Sequence, residues 1–250
     1  MRILVAIPVF NEQDHVAPVL EEVRRYASDI LVIDDGSTDK TPLLLARQPV
    51  EVIRHAQNRG YGRSMIDAFR WAMCQCLGYD WLITMDCDEQ HEPTSLPDFQ
   101  DAIERDQSDI VSGSRYLRTD HENDMPPSDR RRINQTITEM VNKRLGLRIT
   151  DAFCGFKAYR VSALKSLSLS EPGYAFPLQF WVQAAAHDLR VAEIPIRLIY
   201  NDPNRSFGGP LDNPTNRLHH YCRVFDQEVA KFPRKFREPR DAPVRCGAQT

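Results

Sequence analysis

Asp86 and Asp88 stand two residues apart after the apolar run at 81–85, and Gln90 adds a neutral oxygen at the next alternate position. If the chain turns there, both carboxylates reach one hard cation, and carboxylate and amide oxygens suit Mg²⁺ or Mn²⁺ rather than zinc. A metal so held would bridge a diphosphate and neutralise charge developing on a leaving group. Two other polar clusters share this setting. Pro8-Val9-Phe10-Asn11-Glu12 follows the apolar run 2–7, and Asp34-Asp35-Gly36-Ser37-Thr38-Asp39 follows the run 30–33. Capping and turn formation explain any one cluster taken singly. All three after strand-length runs point to a ligand site, because open parallel sheets bind ligands beyond the carboxyl ends of their strands.

The elements needed to position these clusters are those of a parallel α/β sheet, since apolar runs of strand length alternate with stretches of helical period. Strands are expected at 2–7, 30–33, 50–53, 81–85 and 109–112. The helix after the first strand buries Val16, Val19, Leu20 and Val23 and turns Glu21, Glu22, Arg24 and Arg25 outward. Further helices are expected at about 62–77 and 95–105. The second half is less regular, with helices at 133–145 and 180–186, strands at 156–159 and 191–199, and a helix at 214–231. Residues 120–124 form an acidic loop, and the end beyond 232 has no periodicity.

At 250 residues the chain can fill one α/β domain with a sizeable core. Its formal net charge of -3 gives no basic field for nucleic acid. No apolar run approaches the roughly 18–20 residues that span a bilayer. The N-terminus does not read as a signal peptide, because Pro8 and Asn11-Glu12 follow the first apolar run without a small-residue cleavage site. The scattered cysteines suit a reduced, cytoplasmic compartment.

The ordered motifs resemble those of family 2 inverting glycosyltransferases with the GT-A fold, and more narrowly the polyprenol- or dolichol-phosphate mannose (or glucose) synthases. They are Pro8-x-Phe10-Asn11-Glu12, Asp34-Asp35-Gly36-Ser37-x-Asp39, Asn58-x-Gly60-x-Gly62 and Asp86-x-Asp88-x-Gln90-His91-x-Pro93. Gly113-Ser114-Arg115-Tyr116, Asp151 with Gly155-Phe156, and Arg205-x-x-Gly208 follow. The set spans residues 1–209 in the family's order.

The resemblance implies a Rossmann-like GT-A nucleotide-diphospho-sugar transferase fold, α/β, with a mostly parallel central sheet and helices on both faces. It also implies roles. Pro8, Phe10, Glu12 and Asp35 would hold the base and ribose of a nucleotide-sugar, with Asn11, Asp34, Gly60, Gly62, Asp86 and Arg205 completing the donor set. Asp86, Asp88 and Gln90 would hold the metal, and Asp88 and Arg205 would serve the leaving diphosphate. Arg115 and Arg131 would bind an acceptor phosphate, where guanidinium forks suit phosphate oxygens. For both arginines the alternative is a solvated surface or a helix salt bridge.

A phosphate acceptor is already an anion, whereas a sugar hydroxyl needs a carboxylate base. Gln179 stands where the lipid-phosphate enzymes usually carry glutamate, and Asp151 is the remaining candidate base. Gly209-Pro210-Leu211 replaces the family's Ser-Lys pair after the Arg-x-x-Gly motif, with Arg217 or Lys157 as substitute cations. Cys154 replaces a serine.

Gly60-Tyr61-Gly62 lacks the third glycine of a nicotinamide site and does not follow the first strand. Cys74 and Cys76 are expected on one helix, pointing apart, as core thiols rather than zinc ligands. The 214–231 helix is expected to pack on the domain, with His219 and His220 exposed.

The expected organisation is one domain over 1–232. Within it lie a nucleotide-sugar half (1–112), an acceptor half (113–212), a C-terminal helix (213–232) and a tail (233–250). The expected partners are a nucleotide-sugar donor and a polyprenyl-phosphate or glycan acceptor. Peripheral contact at the inner membrane face fits this set; nucleic acid does not. Transfer to a sugar hydroxyl, a nucleotidyltransferase and a non-catalytic nucleotide-sugar binder are the rival readings.

Overall fold

Five apolar runs become parallel strands of one sheet in a computed structural model, which describes residues 1–87, 92–117, 128–197, 199 and 209–236. The first half runs β1 (Ile3–Val9), α1 (Val16–Val23), β2 (Asp29–Asp34), α2 (Thr41–Leu45), β3 (Glu51–Arg54) and α3 (Tyr61–Ala72). It continues through β4 (Trp81–Thr84), α4 (Leu96–Glu104) and β5 (Ile110–Ser114). The second half holds α5 (Ser128–Leu145), β6 (Lys157–Arg160), α6 (Val161–Leu164), α7 (Phe176–Ala186), β7 (Val191–Pro195) and α8 (Pro214–Val229).

The sheet order is β3-β2-β1-β4-β6-β5-β7. All pairings are parallel except those of β6, which runs antiparallel to both β4 and β5. Alternate residues of each strand face opposite sides and feed two apolar layers. Leu4, Ala6, Leu31, Ile33 and Leu82 pack against α3, α5, α7 and α8. Val5, Ile7, Val32, Trp81 and Ile83 pack against α1 and α4. The expected α/β fold with helices on both faces is what forms.

Register fixes the site. Val9 pairs with Asp34 and Ala6 with Thr84, so the ends of β1, β2 and β4 reach one edge. The chain winds outward from β1 through β2 to β3 and returns to the other side at β4. That reversal opens a crevice at the carboxyl edge.

Several boundaries differ from the sequence expectations, for local reasons. The 62–77 helix stops at Ala72, where Cys74 N–H donates to the Trp71 carbonyl at 3.0 Å and the chain turns. The expected 133–145 helix begins five residues earlier, at Ser128, through a polar segment without apolar periodicity. The 180–186 helix begins at Phe176, with Pro177 in its first turn, where a missing N–H costs nothing. The strand expected over 191–199 ends at Pro195, with Ile196 N still donating to Ser114 O at 3.0 Å as the chain leaves the ladder. The C-terminal helix is capped by Asn213, whose side-chain oxygen accepts from Thr215 N at 2.9 Å and Asn216 N at 3.1 Å. Phe236, placed by sequence in the tail, is buried and packs near Phe232. The 120–124 loop and the rest of the tail, 237–250, lie outside the described residues.

Candidate active site

The first two clusters are laced together by side chains that serve backbone donors. Asn11 sits at φ 57°. Its N–H donates to Ser37 Oγ at 2.9 Å, and its Oδ1 accepts from Thr38 N at 2.8 Å. Glu12 N donates to Thr41 Oγ1 at 2.9 Å, and Asp39 accepts from Gln13 N at 3.1 Å and Thr41 N at 2.9 Å. Pro8 is half-buried on β1, and Phe10 is 43% exposed beyond it. An exposed ring at a strand end is a ready stacking surface for a planar base.

The paired aspartates at the end of β2 divide their work. Asp34 is fully buried; its Oδ1 accepts from Ser37 N at 2.8 Å, and its Oδ2 lies 3.2 Å from Arg54 Nε. Asp35 accepts from Arg59 N and Gly60 N, both at 2.8 Å, and from His55 Nδ1 at 2.6 Å. His55 Nε2 faces Asp67 of α3 at 3.1 Å, so the ring stands between two carboxylates. His55 was missed by sequence reasoning. A histidine behind a charged strand end carries no spacing signal, and only the register of β3 brings it beside Asp35.

Gly60 and Gly62 mark a close approach of two chain segments. A Cβ on Gly60 would lie 2.4 Å from the Pro172 carbonyl oxygen, and one on Gly62 would lie 2.2 Å from that of Glu171. Gly60 also has φ 97°, which side-chain-bearing residues rarely adopt. The 171–173 segment therefore rests on the start of α3, and Arg63 N donates to Pro172 O at 3.0 Å. Tyr61 and Tyr174 stack there, ring centres 6.1 Å apart and 13° from parallel.

Asp86, beyond β4, faces this aromatic pair. Burial raises both tyrosine hydroxyl pKa values, and the negative charge of Asp86 adds to the effect. A Cβ at position 155 would stand 2.6 Å from Asp86 Oδ2, so glycine is what lets the backbone pass the carboxylate. A half-buried strand-end carboxylate of this kind fits a hard cation. Asp88, Gln90 and Arg205 lie outside the described residues. Among the described residues no cluster of three or more His, Cys, Asp or Glu is placed to hold a metal.

Across the crevice, Arg115 and Asp151 meet each other. Arg115 Nε donates to Asp151 Oδ2 at 2.7 Å and Nη2 to Oδ1 at 3.0 Å, a bidentate fork. Asp151 is fully buried and also accepts from Asn134 Nδ2 at 3.0 Å and Phe153 N at 3.1 Å. Burial alone would push its carboxyl up, but the Arg115 charge and these hydrogen bonds hold it well below the usual carboxylate range. Arg131 is exposed near the start of α5, and its charge bears on the Tyr116 hydroxyl.

The two cations expected to replace the missing lysine are both buried. Lys157 is 3% exposed, donates to the Cys154 carbonyl and lies over the Trp181 ring at 5.4 Å. Arg217 is equally buried and donates to Leu211 O at 2.9 Å. Gln179 is part of a structural clasp. Its Oε1 accepts from Ser170 N and Glu171 N, both at 2.7 Å, and its Nε2 donates to the buried Glu228 of α8 at 2.8 Å. Gln183 Nε2 donates to the same carboxylate at 2.7 Å. A glutamate at 179 would set two carboxylates against each other, which is a physical reason for glutamine here.

Strand order, the carboxyl-edge crevice and helices on both faces define a GT-A glycosyltransferase fold. A structure of glucosyl-3-phosphoglycerate synthase from Mycobacterium tuberculosis with Mn²⁺, UDP and glucosyl-3-phosphoglycerate superposes with TM-score 0.67 at 16% identity. The match covers 96% of this chain and 81% of that one. The family model described as glycosyl transferase family 2 matches residues 4–168, and the chain belongs to that family of enzymes. An undecaprenyl-phosphate mannosyltransferase of Micrococcus luteus is 32% identical over 216 residues, spanning 82% of this chain and 87% of that protein. A polyprenol monophosphomannose synthase of Mycolicibacterium smegmatis is 30% identical over 206 residues, spanning 78% and 76% respectively. Among the described residues no helix is long and apolar enough to cross a membrane.

Proposed function

We propose that this glycosyltransferase moves a hexose, with inversion and with a divalent metal, from a nucleotide-sugar of the GDP-mannose or UDP-glucose type to a polyprenyl phosphate. The observation that carries the reading is the placement of Asp86. It stands at the carboxyl edge between the laced 8–12 and 34–39 loops and the Tyr61–Tyr174 pair, against a backbone kept open by Gly155. The names of the Micrococcus and Mycolicibacterium relatives support a polyprenyl-phosphate acceptor.

In this reading Phe10 stacks on the donor base, while Asp34 and Asp35 shape the loops around base and ribose. Mg²⁺ or Mn²⁺ held by Asp86, Asp88 and Gln90 would supply positive charge at the leaving diphosphate. Arg205, which the family resemblance assigns to the diphosphate, would serve it as well. The acceptor oxygen attacks the anomeric carbon from the face opposite the leaving group, held by cations that include Arg131.

Asp151 favours a phosphate over a sugar hydroxyl as the acceptor. A carboxylate with its lone pairs committed to Arg115, Asn134 and Phe153 N–H is a poor proton acceptor, and a phosphate monoester needs none. We assign Asp151 to positioning Arg115, whose guanidinium would serve the acceptor phosphate.

The test is calorimetric titration with GDP-mannose and UDP-glucose, each with Mn²⁺ and with chelator, followed by transfer of labelled sugar to a polyprenyl phosphate in detergent. Metal-dependent binding of one donor and appearance of labelled lipid are expected. Donor binding that is unchanged by chelator would remove the metal. Transfer to a glycan but not to the lipid phosphate would overturn the acceptor.

A further inference from the structure

We propose that Cys74 and Cys76 form a dithiol site that closes to an internal disulfide by exchange with low-molecular-weight disulfides. Two residues apart on a regular helix, the side chains would diverge by about 200°. The chain does not continue as a helix. Cys74 N donates to Trp71 O and Leu77 N to Cys74 O, both at 3.0 Å, so residues 74–77 form a turn that folds the two side chains together. The sulfurs stand 2.7 Å apart, and both residues are exposed. The left-handed Gly78, at φ 65° with open space around it, completes the reversal. The Arg2 guanidinium donates to the Leu77 carbonyl and holds the turn against the start of β1.

The remaining described thiols are different. Cys87 and Cys154 are buried, and burial pushes the Cys154 thiol up to about 11. Cys222 is half-buried and raised for the same reason. The Cys74 thiol is lowered, chiefly by the hydrogen bond from Cys76, which makes it the better attacking thiolate of the pair.

The exchange balances in two steps. Cys74 thiolate attacks one sulfur of the small disulfide; that S–S bond breaks, and one small thiol leaves with a proton. Cys76 thiolate then attacks Cys74 Sγ in the mixed disulfide and releases the second small thiol. The protein loses two electrons and two protons, and the small disulfide gains them. The pair lies at the end of α3 away from Tyr61, so the site is separate from the candidate active site and does not depend on the assigned chemistry.

The experiment uses the full chain, reduced and desalted, then equilibrated with oxidised and reduced glutathione at stepped ratios, acid-quenched, alkylated and mapped by mass. Wild type is expected to show the peptide spanning Cys74 and Cys76 lighter by two hydrogens, with no retained glutathione. Cys76→Ser is expected to trap a glutathione adduct on Cys74 that persists. Both positions are exposed, so this variant should keep the wild-type melting midpoint. A stable adduct on wild type, or two free thiols even in fully oxidised glutathione, would overturn the proposal.

Discussion

Asp35 and Asp151 are both buried carboxylates at the same edge of the sheet, and each accepts several hydrogen bonds, but from different kinds of donor. Asp35 is surrounded by the backbone amides of Arg59 and Gly60 and by His55. Asp151 faces the permanent charge of Arg115 through a two-pronged fork. One side of the crevice uses carboxylates to shape loops, which suits an uncharged base and ribose. The other uses a carboxylate to hold a guanidinium in place, which suits an anion. The difference implies that the two halves should fail differently when cut: the donor side in binding, the acceptor side in stability as well.

The largest effect is expected at the acceptor side. Arg115→Ala leaves Asp151 charged and unpaired in the interior, and should cost about 3–5 kcal/mol of unfolding free energy in urea titration. Changing both residues, Arg115→Met with Asp151→Asn, should recover most of it. A single variant as stable as wild type would dissolve the contrast between the halves. The pH sign follows from the depressed carboxyl of Asp151: its contribution is complete above the ordinary carboxylate range and is lost only as pH falls through the native value.

Next comes Asp86→Ala. Its kcat/KM should fall by about 10²–10³-fold, the scale for losing one preorganised electrostatic group, with the melting midpoint unchanged. Near-normal turnover would take the metal out of the proposed chemistry.

Two smaller changes separate wiring from chemistry. Gln179→Glu should destabilise by about 1–3 kcal/mol, because its carboxylate would replace the donor that Glu228 now receives. Glu228→Gln in the same chain should relieve it, and an additive double variant would show that the clasp is not formed. His55→Leu should raise the donor KM about tenfold with little change in kcat, since Asp35 and the loop it shapes lose one partner. His55→Asn, which can restore a donor toward Asp35, should recover part of that loss. A fall in kcat alone would place His55 nearer the reacting atoms than the geometry does.

What could be read in advance divides along the same line. β1, β2 and β4 were legible because their apolar runs are continuous and end abruptly in polar residues. The place of Asp86 beyond β4 was legible because the apolar run 81–85 stops at it. The start of α5 was not, since Ser128-Asp129-Arg130-Arg131-Arg132 offers no apolar stripe to detect. The end of α3 was overextended because Met73 and Leu77 keep helical spacing while the backbone has already turned. Long-range pairing was the least legible. Gln179 and Glu228 lie 49 positions apart, and Arg115 and Asp151 lie 36 apart. Gln179 was noticed without a partner and Glu228 not at all, while Arg115 and Asp151 were expected to serve the acceptor rather than each other, because partner choice is set by packing of α7 on α8 and by the turn before β6.

The smallest effect lies at the opposite edge of the sheet, where an ion pair resembles that of Arg115 in form but has its arginine 55% exposed to solvent. Asp109 accepts from Arg190 Nε at 3.0 Å and Nη2 at 2.9 Å, and its carboxyl is lowered to about 2, chiefly by the hydrogen bond from Arg190. Solvent screens this fork, so Asp109→Asn should cost less than about 1 kcal/mol at neutral pH. A depressed native pKa stabilises above the unfolded value and loses that contribution as pH falls. The difference between variant and wild type should therefore shrink between about pH 4 and pH 2 and fade in high salt. The Arg115 fork should keep its effect under the same salt, because its carboxylate is buried. If both pairs faded together, burial would not be what distinguishes the acceptor side, and Asp151 would be reopened as a proton acceptor.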